Sequence, residues 1–76
     1  MSFQGYLKAI NAKTGKTPAD FRAYAAGKGW TAGDTLAPGV KSAPIVSDLK
    51  DKFGLGHGHA TAVVALLKGL KRESDP

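Results

Sequence analysis

Apolar residues recur along this chain at intervals of three and four, the spacing that places side chains on one face of an α-helix. The first such stripe predicts a helix over about residues 3–13, with Ser2 as its N-cap and Gly15 as its C-cap. Its apolar face would consist of Phe3, Tyr6, Leu7 and Ile10.

A second helix is indicated by the segment that begins at Thr17. Thr17 suits the N-cap, and Pro18 suits the first helical position. Asp20 can bond back to Thr17 as in a capping box, and it would face the positive end of the helix dipole. Gly27 and Gly29 are expected to end this helix, whose apolar face would consist of Phe21, Tyr24 and Ala25.

Residues 30–42 contain Gly33, Pro38 and Gly39 and are predicted to form a long loop without a strand. A loop of this length is unusual in so small a domain. We expect three of its apolar side chains to lie against the core: Trp30, Leu36 and Val40.

Two further helices are predicted on either side of a glycine-rich joint. The third begins near Ser42 and stops at Gly54, with the apolar positions Ile45, Val46, Leu49 and Phe53. The fourth begins between His57 and His59, with Ala60, Val63, Val64, Leu67 and Leu70 on one face. Three cations lie near its C-terminal end, where the helix dipole favours them: Lys68, Lys71 and Arg72.

The pattern as a whole predicts an all-α fold: a compact four-helix domain whose last two helices form a glycine-cornered pair resembling a helix-hairpin-helix unit. Residues 1–72 would form this single domain, and residues 73–76 would form a frayed C-terminal tail. The sequence contains no internal repeat.

Charge permits an acidic partner without requiring one. The chain has 11 Lys and Arg against 6 Asp and Glu, a formal net charge of +5. An excess of this size can attract nucleic acid, and it can equally serve solubility alone. The basic residues form no tract, and Asp20, Asp34, Asp48 and Asp51 lie among them.

Composition narrows the class of protein further. The absence of cysteine excludes disulfides and thiolate sites. No apolar run approaches the ~20 residues of a membrane helix, and residues 1–4 lack the basic and apolar regions of a signal peptide. We therefore expect a cytoplasmic protein with no membrane contact, present as a monomer or a weak homodimer.

The joint at residues 54–59 is the strongest candidate for a binding site. In helix-hairpin-helix proteins, two glycines around an apolar residue, followed by an alanine, present backbone N–H groups to a DNA phosphate. Two registers fit this pattern, one with Gly54 and Gly56 followed by Ala60, and one with Gly56 and Gly58 followed by Ala62. A helix N-terminus carries unpaired donors and partial positive charge, and glycine leaves them uncovered.

This hypothesis assigns weak, sequence-independent nucleic-acid backbone binding to the joint and to the nearest lysines: Gly54, Gly56, His57, Gly58, His59, Lys50 and Lys52. The structural alternative is that the glycines only allow a tight helix corner. A second hypothesis is a protein-interaction or self-association module, with Trp30, Leu36 and Val40 as the partner-binding residues.

The sequence gives little indication of a metal site, a phosphate-binding P-loop or a catalytic site. His57 and His59 lack the further ligands that a zinc site needs, so we predict no metal and no cofactor. Gly15-Lys16-Thr17 resembles the end of a P-loop, but Ile10 stands where its first glycine belongs, and no strand precedes it. No nucleophile, base and acid are suitably spaced, and Asp48 and Asp51 are interpreted as a solvated face. We therefore predict no enzymatic activity.

Several segments together resemble a bacterial family of small domains, catalogued as domain of unknown function 4287. The resemblance covers about residues 2–70 and is most specific at residues 13–18, Lys-Thr-Gly-Lys-Thr-Pro, and at residues 53–60, Phe-Gly-Leu-Gly-His-Gly-His-Ala. It implies a small helical domain and brings no activity, substrate or catalytic residue. Asp48 stands where the family often has a tryptophan, which would make that face more polar.

Overall fold

The computed structural model describes residues 3–33 and 35–70. Over these residues the chain forms four helices whose limits follow the predicted ones closely: α1 (Phe3–Thr14), α2 (Pro18–Gly27), α3 (Ser42–Phe53) and α4 (His57–Leu67). The predicted all-α fold class is confirmed. The expectations for Ser2, for Lys71 and Arg72, and for the tail at residues 73–76 lie outside the described residues.

Helix α4 is the centre of the fold. It packs against α1, α2 and α3, and six of its side chains are buried: Ala60, Ala62, Val63, Val64, Leu66 and Leu67. A helix that is apolar on nearly all sides belongs in an interior. The other three helices cover it with one face each, chiefly through Ile10, Phe21, Ala25, Ile45 and Leu49.

The start of α2 is the capping box that the sequence predicts. The N–H of Asp20 donates to the hydroxyl of Thr17 at 3.2 Å, and the N–H of Thr17 donates to the Asp20 carboxylate at 2.9 Å. Hydrogen bonds that the Asp20 carboxylate accepts from the backbone N–H and the hydroxyl of Thr17, with Lys16 nearby, hold the pKa of Asp20 below its ordinary value. Local chemistry alone therefore fixes where this helix begins.

Helices α2 and α4 end in the same way, and this corrects the prediction for Leu70. Gly29 and Gly69 both take positive φ angles, +75° and +77°. Each is followed by an apolar residue, Trp30 or Leu70, whose N–H bonds back to the fifth residue before it at 2.9–3.0 Å. This is the Schellman ending. Because Gly69 ends α4 early, Leu70 is 70% exposed and does not extend the apolar face.

The segment after α2 contains a short hairpin, so the expectation of a loop without strands is wrong. The strands β1 (Thr31–Ala32) and β2 (Thr35–Leu36) pair antiparallel, with Thr31 opposite Leu36. The N–H of Ala37 extends the pairing by donating to the Trp30 carbonyl at 2.8 Å. Strands of two residues are too short to show an alternating pattern, so the sequence carries no strand signal here.

An aromatic cluster joins α2, α3 and the hairpin. Tyr24 meets Phe53 and Trp30 edge to face, with ring centroids 5.1 and 5.7 Å apart. Its hydroxyl donates a 2.7 Å hydrogen bond to the carboxylate of Asp48. Asp48 is therefore half-buried and bonded within the fold, and only Asp51 fits the predicted solvated face. The bond to Asp48, reinforced by burial and by the carboxylate charge, raises the pKa of Tyr24.

Candidate functional site

The connection between α3 and α4 consists of Gly54, Leu55 and Gly56. Gly54 ends α3 in the left-handed conformation (φ +66°), which disfavours any side chain. Leu55 is buried in the core, and Gly56 is the N-cap of α4. This corresponds to the first of the two glycine registers. In that register the residue between the glycines is Leu55, which is buried, whereas in the second register it would be His57, which is exposed.

Gly56 and Gly58 have no conformational need to be glycine. Gly56 has φ −72° and ψ 168°, which any residue adopts, and Gly58 lies in the first turn of α4 without positive φ. A Cβ added at either position would meet no described atom within 4 Å beyond its chain neighbours and the backbone of its own helix. Neither a positive φ angle nor contact with the rest of the described fold therefore requires glycine at these two positions.

The start of α4 exposes backbone donors. The first hydrogen bond of the helix runs from the N–H of Ala60 to the carbonyl of Gly56, at 2.9 Å. The N–H groups of residues 57–59 precede this ladder, as at any helix start. No side chain of the described residues caps them. This N-terminus thus has the donors and the partial positive charge that suit an anion.

One cation near the joint could not be found from the sequence. The Cε atom of Lys13, at the end of α1, lies 4.0 Å from the position that a Cβ on Gly54 would occupy. No local pattern brings α1 to this corner, since the approach depends on how α1 packs against α4. We refer to residues 54–59 together with Lys13 as the glycine corner.

The other predicted site residues are divided between surfaces. Lys50 borders a groove between α3 and α4, whereas Lys52, also exposed, does not. His57 is exposed at the start of α4. His59 is half-buried, with its ring edge to face on Tyr6 at 5.5 Å between centroids. Among the described residues, no three His, Cys, Asp or Glu side chains are grouped as metal ligands would be.

The predicted partner-binding residues are partly buried in the fold. Trp30, Leu36 and Val40 are each half-buried and pack against the core cluster. Both backbone polar groups of Trp30 are also bonded, its N–H to Ala25 and its carbonyl to Ala37. The apolar side chains of Trp30, Leu36 and Val40 therefore contribute largely to the core of the fold.

An open groove lies between α3 and α4, and we call it the α3–α4 groove. Its volume is about 850 Å³. Apolar side chains from both helices line it, among them Val46, Val64 and Ala65, and Leu70 lies at its edge. The sequence carries no signal for this surface, because its periodicity assigns Val46 and Val64 to the core.

The fold and these surfaces describe a small helical domain built around one central helix. The chain belongs to the family Domain of unknown function (DUF4287), whose model matches residues 2–69. No curated protein and no solved structure matches the chain. None of the helices in the described part of the chain is both long and apolar enough to cross a membrane.

Proposed function

We propose that this chain is a cytoplasmic, non-catalytic binding module that holds the backbone of nucleic acid, weakly and without sequence preference, at the glycine corner. The observation that carries the proposal is the contrast among its glycines. The fold needs glycine at Gly54, but at neither Gly56 nor Gly58. A ligand that approaches the start of α4 closely would need both positions free of side chains.

A phosphate oxygen is the ligand that this arrangement suits. The N–H groups of residues 57–59 are donors without a place in the helical ladder, and the helix dipole adds partial positive charge. Lys13 approaches the same corner, and Lys50 and Lys52 lie on the last turn of α3. Contacts to phosphate fix position but do not distinguish bases, so the binding would be independent of sequence.

Long-range electrostatics also favour this binding. Asp48 and Asp20 keep their negative charge while they accept hydrogen bonds from Tyr24 and within the capping box of α2, and the net charge already counts them. The net charge of +5 then adds a long-range attraction that salt should weaken.

Fluorescence anisotropy with a labelled short DNA duplex tests the proposal through two substitutions. Gly56→Ser places a hydroxyl at the N-cap, where it accepts the N–H groups that a phosphate would use. Gly58→Ala covers the first turn with a methyl group. Each should weaken binding about fivefold, the equivalent of one hydrogen bond of ~1 kcal/mol, without lowering the unfolding midpoint.

The matched control is Gly27→Ala. Gly27 is also a helical glycine without positive φ, and a Cβ there would likewise meet no described atom within 4 Å. It lies at the end of α2, so its substitution should leave duplex binding unchanged. If Gly56→Ser and Gly58→Ala bind the duplex as the control does, the glycine corner does not hold nucleic acid.

A second candidate function is a protein-interaction or self-association module, in which the glycines are purely architectural. The observation that favours it is the exposure of Leu70 beside the α3–α4 groove. For this candidate function, the α3–α4 groove adds a contact surface to the one predicted at Trp30, Leu36 and Val40.

A further inference from the structure

Leu70 has a counterpart in the same fold, Trp30, but lacks the packing contacts of that residue. It occupies the position after the Schellman glycine, as Trp30 does at the end of α2. Trp30 packs onto the core cluster, and an apolar residue at this position commonly packs back on its own helix. Leu70 instead stands largely in solvent at the edge of the α3–α4 groove. Its side chain therefore extends the apolar surface of the groove.

The groove runs along both helices. On α3 its lining extends from Ser42 to Asp51, a rise of ~14 Å, and on α4 it extends from His57 to Lys68. Several lining side chains are small, among them Ala43, Ser47, Thr61 and Ala65, so a partner backbone could approach closely. An open trough of this length between two helices suits a third helix better than a small molecule, which needs a more enclosed pocket.

The charges at the rim select the partner. Lys50 and Lys68 border the groove against one acidic side chain, Asp51, among its described lining residues. Nucleic acid would not favour the apolar floor formed by Val46 and Val64. A second copy of this chain would bring its own +5 charge to a basic rim.

We propose that the α3–α4 groove binds an amphipathic helix of a partner protein, with an apolar stripe against Val46, Ala65 and Leu70 and acidic residues facing Lys50 and Lys68. The proposal rests on the second candidate function and names its partner chemistry. It concerns a different surface from the glycine corner. His57 borders both the groove and the glycine corner, so its amide NMR shift does not distinguish binding at the two surfaces.

The test is an amide NMR titration of the full chain with two synthetic peptides of about four helical turns. Both carry one apolar stripe at i, i+3, i+4 and i+7, and they differ only in having Glu or Lys beside it. The Glu peptide should shift Val46, Ser47, Thr61 and Ala65 together. It should bind about tenfold more tightly than the Lys peptide, and less tightly as salt rises.

Three variants make the test specific to the groove. Leu70→Ser removes an apolar contact while leaving the core intact, and should weaken the Glu peptide about tenfold. Ser47→Lys and Ser47→Glu change only the charge of an exposed lining position, so they should strengthen and weaken the Glu peptide respectively. Ala12→Ser, on exposed α1 surface outside the groove, is the control and should change nothing.

Other outcomes overturn the proposal. Equal affinity for both peptides, or no shift in the groove up to ~1 mM of either, would show that it does not select an acidic helix. Groove shifts that depend on protein concentration alone would assign the groove to a second copy of the chain. If duplex DNA shifts the amides of the glycine corner while neither peptide shifts those of the groove, the groove proposal fails and the proposed nucleic-acid function stands.

Discussion

The hydroxyl of Tyr24 donates a 2.7 Å hydrogen bond to the carboxylate of Asp48, and this bond joins α2 to α3. The Tyr24 ring also contacts Phe53 and Trp30, so one side chain connects two helices and the hairpin. The bond explains why a carboxylate sits half-buried on the inner side of α3.

We predict that Tyr24→Phe lowers the free energy of unfolding by about 1 kcal/mol in urea denaturation, because it removes the hydrogen bond but keeps the ring contacts. Asp48→Asn is the partner variant, and the double-mutant cycle isolates the bond. Additive effects of the two substitutions would show that the residues do not interact.

The same bond gives a dependence on alkaline pH. The raised pKa of Tyr24 means that the folded state holds the phenol proton more tightly than the unfolded state does. This stabilisation is complete below the ordinary value of ~10 and is lost as pH rises through the folded pKa. Wild-type stability should therefore fall more steeply above about pH 10 than that of Tyr24→Phe. Parallel curves would contradict this.

The capping box of α2 gives an opposite dependence at acid pH. Because the pKa of Asp20 is lowered, its stabilisation is present above the ordinary value of ~3.9 and is lost as pH falls through the folded pKa. Asp20→Asn should flatten the acid side of the melting-temperature profile. Thr17→Ala should cost about 1 kcal/mol at neutral pH. An unchanged acid profile in Asp20→Asn would show that other carboxylates dominate.

The glycines of the corner should respond to alanine in opposite ways. Gly54→Ala forces a side chain into the left-handed conformation and should lower the free energy of unfolding by about 1 kcal/mol. Gly58→Ala replaces glycine inside a helix where space is open, and should raise it by about 0.5 kcal/mol. Thermal and urea unfolding measure both. Destabilisation by Gly58→Ala would reveal a structural need that the fold does not show.

Lys13 should contribute to duplex binding through charge. Lys13→Gln is expected to weaken binding and to reduce the slope of log affinity against log salt by about one. Lys8→Gln, at another exposed position of α1, is the control. An equal loss in both variants would mean that only net charge matters, and that Lys13 has no special position beside Gly54.

The helices could be predicted because their ends are set locally. Thr17, Pro18 and Asp20 fix the start of α2, and Gly15 and Gly54 take the left-handed conformation that ends α1 and α3. The hairpin could not be predicted, since its strands are held by pairing and by contact with α2 instead of by an alternating pattern.

The candidate sites could be predicted from the sequence only in part. The glycine pattern locates the corner, because the local backbone needs are visible in the residues themselves. The approach of Lys13 to Gly54 and the bond between Tyr24 and Asp48 depend on how distant helices pack. The groove also depends on how the helices pack. Periodicity assigns Val46 and Val64 to a buried face, but it does not show that α3 and α4 leave an open groove beside them.

An amide NMR titration of the full chain with a short DNA duplex, at low salt and again near physiological salt, tests the central claim most directly. Binding at the glycine corner predicts that Gly54, Gly56, Gly58 and His59 shift together, and that their shifts shrink as salt increases. Shifts at scattered lysines alone, or none, would contradict the claim and leave the glycines with a purely architectural role.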